Sequence, residues 1–358
     1  MKKVLFIGPF PPPYNGQSVA FSYLKQLDRD IFDLEFYNTH QYSNNFLNYF
    51  SSTLLLPLKI LLYDYALIYF IGSRSIPGFI RQLPFFLTTI ILGKKVINHL
   101  HGADFKNFFL NSGFLKPLIR FCYNHIDTTI ILLKGMKSQY ADFPKMKIKV
   151  VPNAFNLKLD DNKFHFPKPK NVLYLSNLIA SKGILEFLEA ADLLLKVDKD
   201  LTVSIAGNFL GDHIKKTDQI KEEFYAQYHP LKDKYQERIN YLGLVVGDQK
   251  RELLINSSLF VLPTYYPTEA FPISIIEAMR TGNAIITTKH NYLEELISEE
   301  NGTLIKAKSA QEIFKASKRL MENKKLLEQI QKHNMDAAKQ YTLENHLLKI
   351  KNILRHAL

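Results

Sequence analysis

The sequence predicts two parallel, doubly wound α/β sheets, one in each half of the chain, from three observations. Short unbroken apolar runs recur along it, most are separated by helix-length intervals, and the pattern starts afresh after a polar, proline-containing stretch at residues 160–171. A run that is apolar on both faces suits a strand covered above and below by helices, as parallel sheets are.

In order, "KKVLFIG" reads as a strand, "PFPPPYNGQS" as its loop and residues 19–27 as an amphipathic helix. "DLEFYN", "YALIYFIG", "KKVINHLHG", "DTTIILL" and "KIKVVPN" supply further strands. In the second round "NVLYLSNL" matches "KVLFIGPF", "FLEAADLLLKVDKDLTVSIAG" gives helix, turn and strand, and "INYLGLV", "LFVLPT", "NAIITTK" and "GTLIK" complete the sheet. From Ala310 onward the pattern is helical. The predicted domains are residues 1–162, residues 163–340, and a C-terminal helix at 341–358 that packs on either of them.

Length and composition agree. A chain of 358 residues with 46% hydrophobic content suits two domains better than one. The single cysteine, Cys122, excludes an intramolecular disulfide framework, so nothing requires an oxidising compartment and a cytoplasmic location is expected. The apolar run after Met1 is too short for a signal-peptide core. "LLLPLKILLYDYALIYFIG" and "LPFFLTTIILGKKVINHL" approach spanning length, but Pro57, Lys59 and Asp64 break the first and Gly93, Lys94 and Lys95 the second. Each divides into a helix and a buried strand.

The net charge is +12, and residues 1–161 carry 18 Lys+Arg against 10 Asp+Glu. Clustered cations suit an anionic membrane face or nucleic acid. No nucleic-acid module is recognisable, so that partner is not expected.

Open parallel sheets bind ligands at the carboxyl ends of their strands, and two facing sheets make a cleft. "EAFPISIIEAMRTGN" lies at such an end. "LFVLP" is the strand, "TYYPTEAF" the loop, and a helix starts with Pro272 at its first position and stops at Gly282. The backbone N–H groups of Ile273 and Ser274 are then free at its positive end, where a phosphate binds. Glu277 lies about 7.5 Å along the axis and reaches a polyol beside that phosphate. The purely structural alternative pairs Glu277 with Arg280 and leaves Glu269 to favour the helix dipole.

The segment "LFVLPTYYPTEAFPISIIEAMRTGNAIITT" resembles the signature of the retaining GT-B glycosyltransferases of family 4, the glycosyl transferases group 1 domain, in which two glutamates separated by seven residues stand before "AMA.G.P". "VLYLSNLIASKG", "INYLGLV", "VVPNAFN" and "NGTLI" resemble further parts of that family, so the resemblance covers nearly the whole chain. It implies a GT-B fold, two Rossmann-like domains facing across a cleft. It also implies that a sugar moves from a nucleotide-diphosphate donor to an acceptor hydroxyl, as in building bacterial surface polysaccharide or glycolipid.

By resemblance, Glu277 binds the ribose hydroxyls, Glu269 contacts the transferred sugar, and the N–H groups of Phe271, Ile273 and Ser274 lie near the diphosphate. Lys182 neutralises the diphosphate, and Asn177 stands where the family has an arginine. Gly16 lets the backbone approach the sugar phosphate, with Asn15 and Gln17 near the acceptor, and His101 stands at the reaction centre. The structural alternatives are a solvated Lys182 and a buried, hydrogen-bonded His101.

No cofactor or metal is implied. His99 and His101 lack a third ligand in view, and the two Asp-x-Asp patterns, "LDRD" and "VDKD", read as turn chemistry. The implied partners are a nucleotide sugar and a glycan or lipid-linked glycan acceptor. "NNFLNYFSSTLLLPLKILLY" and "KNFFLNSGFLKPLIRF" either dock on the inner face of the cell membrane or pack inward as core helices. A nucleotide-sugar epimerase on the same architecture and a non-catalytic partner of a transferase are the rival readings.

Overall fold

The computed structural model describes residues 1–159 and 166–358. The strands are β1 Lys2–Gly8, β2 Phe32–Asn38, β3 Leu67–Phe70, β4 Val96–His99, β5 Thr128–Ile131, β6 Lys147–Val150, β7 Asn171–Leu175, β8 Thr202–Ala206, β9 Ile239–Tyr241, β10 Leu259–Leu262, β11 Ala284–Thr288 and β12 Gly302–Ile305. The α-helices are α1 Gly16–Tyr23, α2 Asn45–Phe50, α3 Leu56–Leu62, α4 Ile76–Ile91, α5 Phe105–Leu110, α6 Lys116–Asn124, α7 Ile184–Val197, α8 Thr217–Tyr235, α9 Gly247–Ile255, α10 Ile273–Arg280, α11 Leu293–Leu296, α12 Ala310–Glu322, α13 Lys324–Ala337 and α14 Leu343–Ala357.

These elements sort into two compact units. Met1–Ala154 with Leu343–Leu358 form one, and Phe155–Thr342 the other. Residues 160–165 of the expected linker, and with them the expected boundary at 162/163, lie outside the described residues.

The first unit is built on a six-stranded sheet in the order β2-β1-β3-β4-β5-β6, and the strand pairs are parallel. The strand order reverses between β1 and β3, so the loops that follow these neighbouring strands leave a crevice at their carboxyl ends. Its core joins Val4 and Phe6 of β1, Phe21 of α1, Leu34 of β2 and Tyr69 of β3 to Ile350 and Leu354 of α14. The last helix therefore completes the first core. Lys2 Nζ and Lys95 Nζ donate to the carbonyls of Leu358 and Ala357 at 2.6 and 2.7 Å. These are cations at the negative end of α14, which they stabilise.

The second unit's sheet runs β12-β11-β10-β7-β8-β9, again parallel, with the reversal between β7 and β10. β7, β10 and β11 are buried at every position, as the unbroken apolar runs require. Asp28 and Asp198 accept the N–H groups of Asp30 and Asp200 at 3.0 and 2.9 Å. Both Asp-x-Asp patterns are thus Asx turns.

Truncating Leu354 of α14 should cost the first unit about 2–5 kcal/mol. Urea unfolding of Leu354→Ala should show a lowered midpoint, and an unchanged midpoint would mean that α14 contributes nothing to that core.

Candidate active site

In the second unit the loops after β7 and β10 meet at the strand-order reversal. After β7 the chain makes a tight turn, Ala180–Lys182, that ends in Gly183 at φ +77°. A Cβ at Gly183 would stand 2.5 Å from the Pro263 carbonyl oxygen, so conformation and contact both demand glycine. Tyr265 N–H donates to the Ser181 carbonyl at 2.7 Å, which ties the two loops together. Asp212 accepts the Ser181 N–H at 3.0 Å and also its hydroxyl. Burial raises the Asp212 pKa, but these bonds and those from the Lys215 and Ile214 N–H groups outweigh it and hold the carboxyl below its usual range.

The turn thereby aims Lys182 at Glu269. Its ammonium lies 3.3 Å from Glu269 Oε2 and donates to Ser176 Oγ at 3.0 Å, and the Tyr266 ring centroid is 5.7 Å away. Both side chains are mostly buried, 16% and 10% exposed. Thr264 Oγ1 donates to Glu269 Oε2 at 3.4 Å and accepts the Tyr266 N–H at 3.1 Å. Asn291 Nδ2 donates to the Pro267 and Glu269 carbonyls at 3.1 and 2.8 Å. The β10 loop is therefore fixed from several sides, and in the β7 loop Asn177 follows Ser176, half-buried.

Helix α10 begins one residue later than expected. Pro272, at φ −63° and ψ 120°, is the residue before the first helical one, and Ile273 opens the helix. Proline's fixed φ suits either place, and the extended ψ decides. Ile273 and Ser274 occupy the first helical turn, whose N–H groups have no partner within the helix. Phe271 is 4% exposed, its ring edge-on to Tyr341 at 5.4 Å.

Glu277 is 3% exposed and pairs with a partner the sequence did not indicate: Lys250 of α9, whose Nζ lies 2.6 Å from Oε1. The structure thus replaces the Arg280 alternative. Burial raises the Glu277 pKa, and the Lys250 charge and hydrogen bond counter it in part. Lys168 is also buried, its ammonium donating to the carbonyls of Leu254, Thr281 and Gly282 at 3.2, 2.8 and 3.3 Å. These are the carboxyl ends of α9 and α10, where a cation offsets the helix dipoles.

The other predicted residues belong to the first unit. Asn15 caps α1, accepting the Ser18 N–H at 2.9 Å, so its side-chain oxygen is committed to the helix. A Cβ at Gly16 would meet nothing within 4 Å, so the space beside it is open. Gln17 Oε1 accepts from Arg74 Nη1 at 3.3 Å. His101 stands against His99, ring centroids 4.0 Å apart, and His99 is bonded to the Tyr69 hydroxyl and lies 6.4 Å from the His346 ring. Burial first, then the Arg74 charge, lowers the His101 pKa to about 3, with the Asn153 side chain as a hydrogen-bonding neighbour. The imidazole is therefore neutral at physiological pH.

Two units with parallel sheets in these strand orders form the GT-B architecture of nucleotide-sugar enzymes. Residues 157–336, half of the chain, match the family "Glycosyl transferases group 1", and the chain belongs to that family. It is 29% identical over 171 residues to an N,N'-diacetylbacillosaminyl-diphospho-undecaprenol alpha-1,3-N-acetylgalactosaminyltransferase of Campylobacter jejuni, covering 48% of this chain and 40% of that one. It is 25% identical to the amylovoran biosynthesis glycosyltransferase AmsK of Erwinia amylovora, over 69% of this chain and 60% of that one. It is 29% identical to the putative teichuronic acid biosynthesis glycosyltransferase TuaC of Bacillus subtilis, over 68% of this chain and 57% of that one. The matches thus span about half the length of these relatives. Among solved structures, HepE of Anabaena in complex with UDP and glucose superposes with a TM-score of 0.75 at 16% identity, covering 99% of this chain and 100% of that one. A sucrose-phosphate synthase of Thermosynechococcus elongatus gives 0.74 at 13% identity, covering 99% of each.

The buried Lys168 makes stability depend on pH. Burial lowers its pKa from the ordinary 10.5 to about 7, so between these values the unfolded chain binds more protons than the folded one. Stability supplied through this group rises with pH across that window. Urea unfolding should show a smaller rise in Lys168→Met than in the wild type, and identical pH dependences would exclude the effect.

Proposed function

We propose that the chain is a retaining, metal-independent glycosyltransferase that moves a sugar from a nucleotide-diphosphate donor to an acceptor hydroxyl in polysaccharide or glycolipid assembly at the cytoplasmic face of the membrane. The observation that carries this reading is the Lys182–Glu269 pair, 3.3 Å apart at the strand-order reversal, which joins the turn after β7 to the loop that leads into α10. An ammonium and the amino end of a helix receive a diphosphate, and a carboxylate receives sugar hydroxyls.

In this reading Lys182 leaves Glu269 for the diphosphate, the N–H groups of Ile273 and Ser274 hold phosphate oxygens, and Glu277 takes the ribose diol with the oxygen that Lys250 does not hold. The acceptor oxygen bonds to the anomeric carbon on the face from which the diphosphate departs. The bond from that carbon to the phosphate oxygen breaks, and the acceptor proton passes to the leaving diphosphate. Charge stabilisation at the diphosphate is the main catalytic contribution. Neutral His101 offers a hydrogen bond to the sugar, and Gly16 leaves room for it. Both Asp-x-Asp pairs are held in turns, so the diphosphate charge falls to Lys182 and α10.

Membrane attachment is part of the proposal. Leu56 and Ile60 of α3 are buried, whereas Leu58, Leu61 and Leu62, with Phe46 and Phe50 of α2 and Ile91 of α4, stand exposed in the more basic half of the sequence. No helix among the described residues is long and apolar enough to cross a membrane. Docking onto acidic lipid accounts for both facts. Failure to sediment with acidic liposomes at low salt would remove this part of the proposal.

Thermal-shift screening against UDP-, GDP-, ADP- and dTDP-sugars should reveal one stabilising donor class, and Glu277→Ala should abolish the shift while remaining folded. An unchanged shift in that variant would remove Glu277 from the site. No shift with any donor would favour a non-catalytic partner role, and product formed without added acceptor would favour epimerisation. With a donor in hand, Glu269→Gln should lower turnover by about 10²–10³. It should bind the nucleoside diphosphate no more weakly, since the carboxylate that competes for Lys182 is gone.

A further inference from the structure

The first unit contains a cavity of about 190 Å³ among the loops that follow β1, β2 and β3, at its own strand-order reversal. Its lining includes Gln17, His40, Ser73, Arg74, Arg81 and Gln82 and no carboxylate. The wall is fixed in advance. Gln82 Oε1 accepts the Ser73 N–H at 2.8 Å while its Nε2 donates to the Ile71 carbonyl at 3.1 Å, and Gly72 N–H donates to Asn98 Oδ1 at 3.1 Å. Arg74 is pinned by Asp104, 2.5 Å from its Nε, and by Gln17.

Arg81 has no such partner. No carboxylate pairs with it among the described residues, and its Nε is buried without a hydrogen-bond acceptor. Leaving a guanidinium half out of water with no counter-charge is costly. His40 faces Arg81 and Tyr49 lies near it, and neither is a carboxylate.

We propose that this cavity is an oxyanion subsite that binds a phosphate group of the acceptor, with Arg81 as its principal contact and Arg74 and His40 beside it. The inference rests on the glycosyltransferase reading for the word acceptor, and on the cavity alone for the anion. Guanidinium forks match phosphate oxygens in pairs, and donors from three loops surround a tetrahedral anion better than a planar one. The volume lies below the roughly 300–1,000 Å³ of whole-ligand pockets. It therefore takes one small anionic group and leaves the rest of the acceptor outside. A phosphorylated soluble sugar and a lipid-linked sugar phosphate both carry that group.

The test is titration of protein labelled with ¹⁵N-arginine, following the Nε–Hε resonance assigned to Arg81 by its loss in Arg81→Gln. Inorganic phosphate should shift it saturably, acetate should not, and Arg81→Gln should bind phosphate at least about tenfold more weakly. The donor-induced thermal shift should be unchanged in Arg81→Gln. Arg81→Lys, which keeps the charge and loses the fork, should fall between the two and serves if Arg81→Gln does not fold. Glucose 1-phosphate and phosphatidylcholine vesicles containing phosphatidic acid separate the two sources, and a shift with either supports the subsite. The proposal is overturned if the resonance does not move, if acetate moves it equally, or if phosphate affinity falls in Lys182→Gln and not in Arg81→Gln. Absence of a donor shift in the wild type would instead count against the transferase reading and leave the anion result standing.

Discussion

Reversal of strand order in a parallel sheet is the constraint on which the rest depends. Successive crossover connections of one hand place helices on opposite faces on either side of the reversal, so the two loops that leave adjacent strands there diverge and cannot fill the space between them. Each sheet of this chain has one such place, between β1 and β3 and between β7 and β10. Lys182 and Glu269 occupy one, and Arg74 and the Arg81 cavity the other. Chemistry collects where the fold leaves backbone and side chains without neighbours.

What the second unit adds is charge held ready. A buried ion pair is poor value for stability, because desolvation offsets much of the attraction. Two lysines nevertheless sit in this site, on Glu269 and on Glu277, and a third is buried at the carboxyl ends of α9 and α10. Each cation is held by an acceptor of the protein before any ligand arrives.

The sheet arrangement was legible in the sequence because a strand buried on both faces must be apolar at every position, as β7, β10 and β11 are. The Asx turns at Asp28 and Asp198 were legible because their bonds span two residues. Resemblance singled out Lys182 and Glu269 separately, but nothing in the sequence announced their pairing, since 87 positions separate them and no local pattern links them. Lys250 and Arg81 were missed for the same reason, each being an ordinary basic residue of a helix until the fold sets it beside Glu277 or His40. Asn15 has a role that the resemblance did not indicate: its side-chain oxygen caps α1 by accepting the Ser18 N–H.

The first core is closed by Ile350 and Leu354, which are synthesised only after the second unit. During synthesis the opening 154 residues must wait, with their sheet lacking its covering helix, while the whole second unit is made and folds. For anyone splicing family members together, the second unit is an insertion between Ala154 and Leu343 and not a carboxyl-terminal module. A chimaera joined at one point would separate the early sheet from the helix that evolved to seal it.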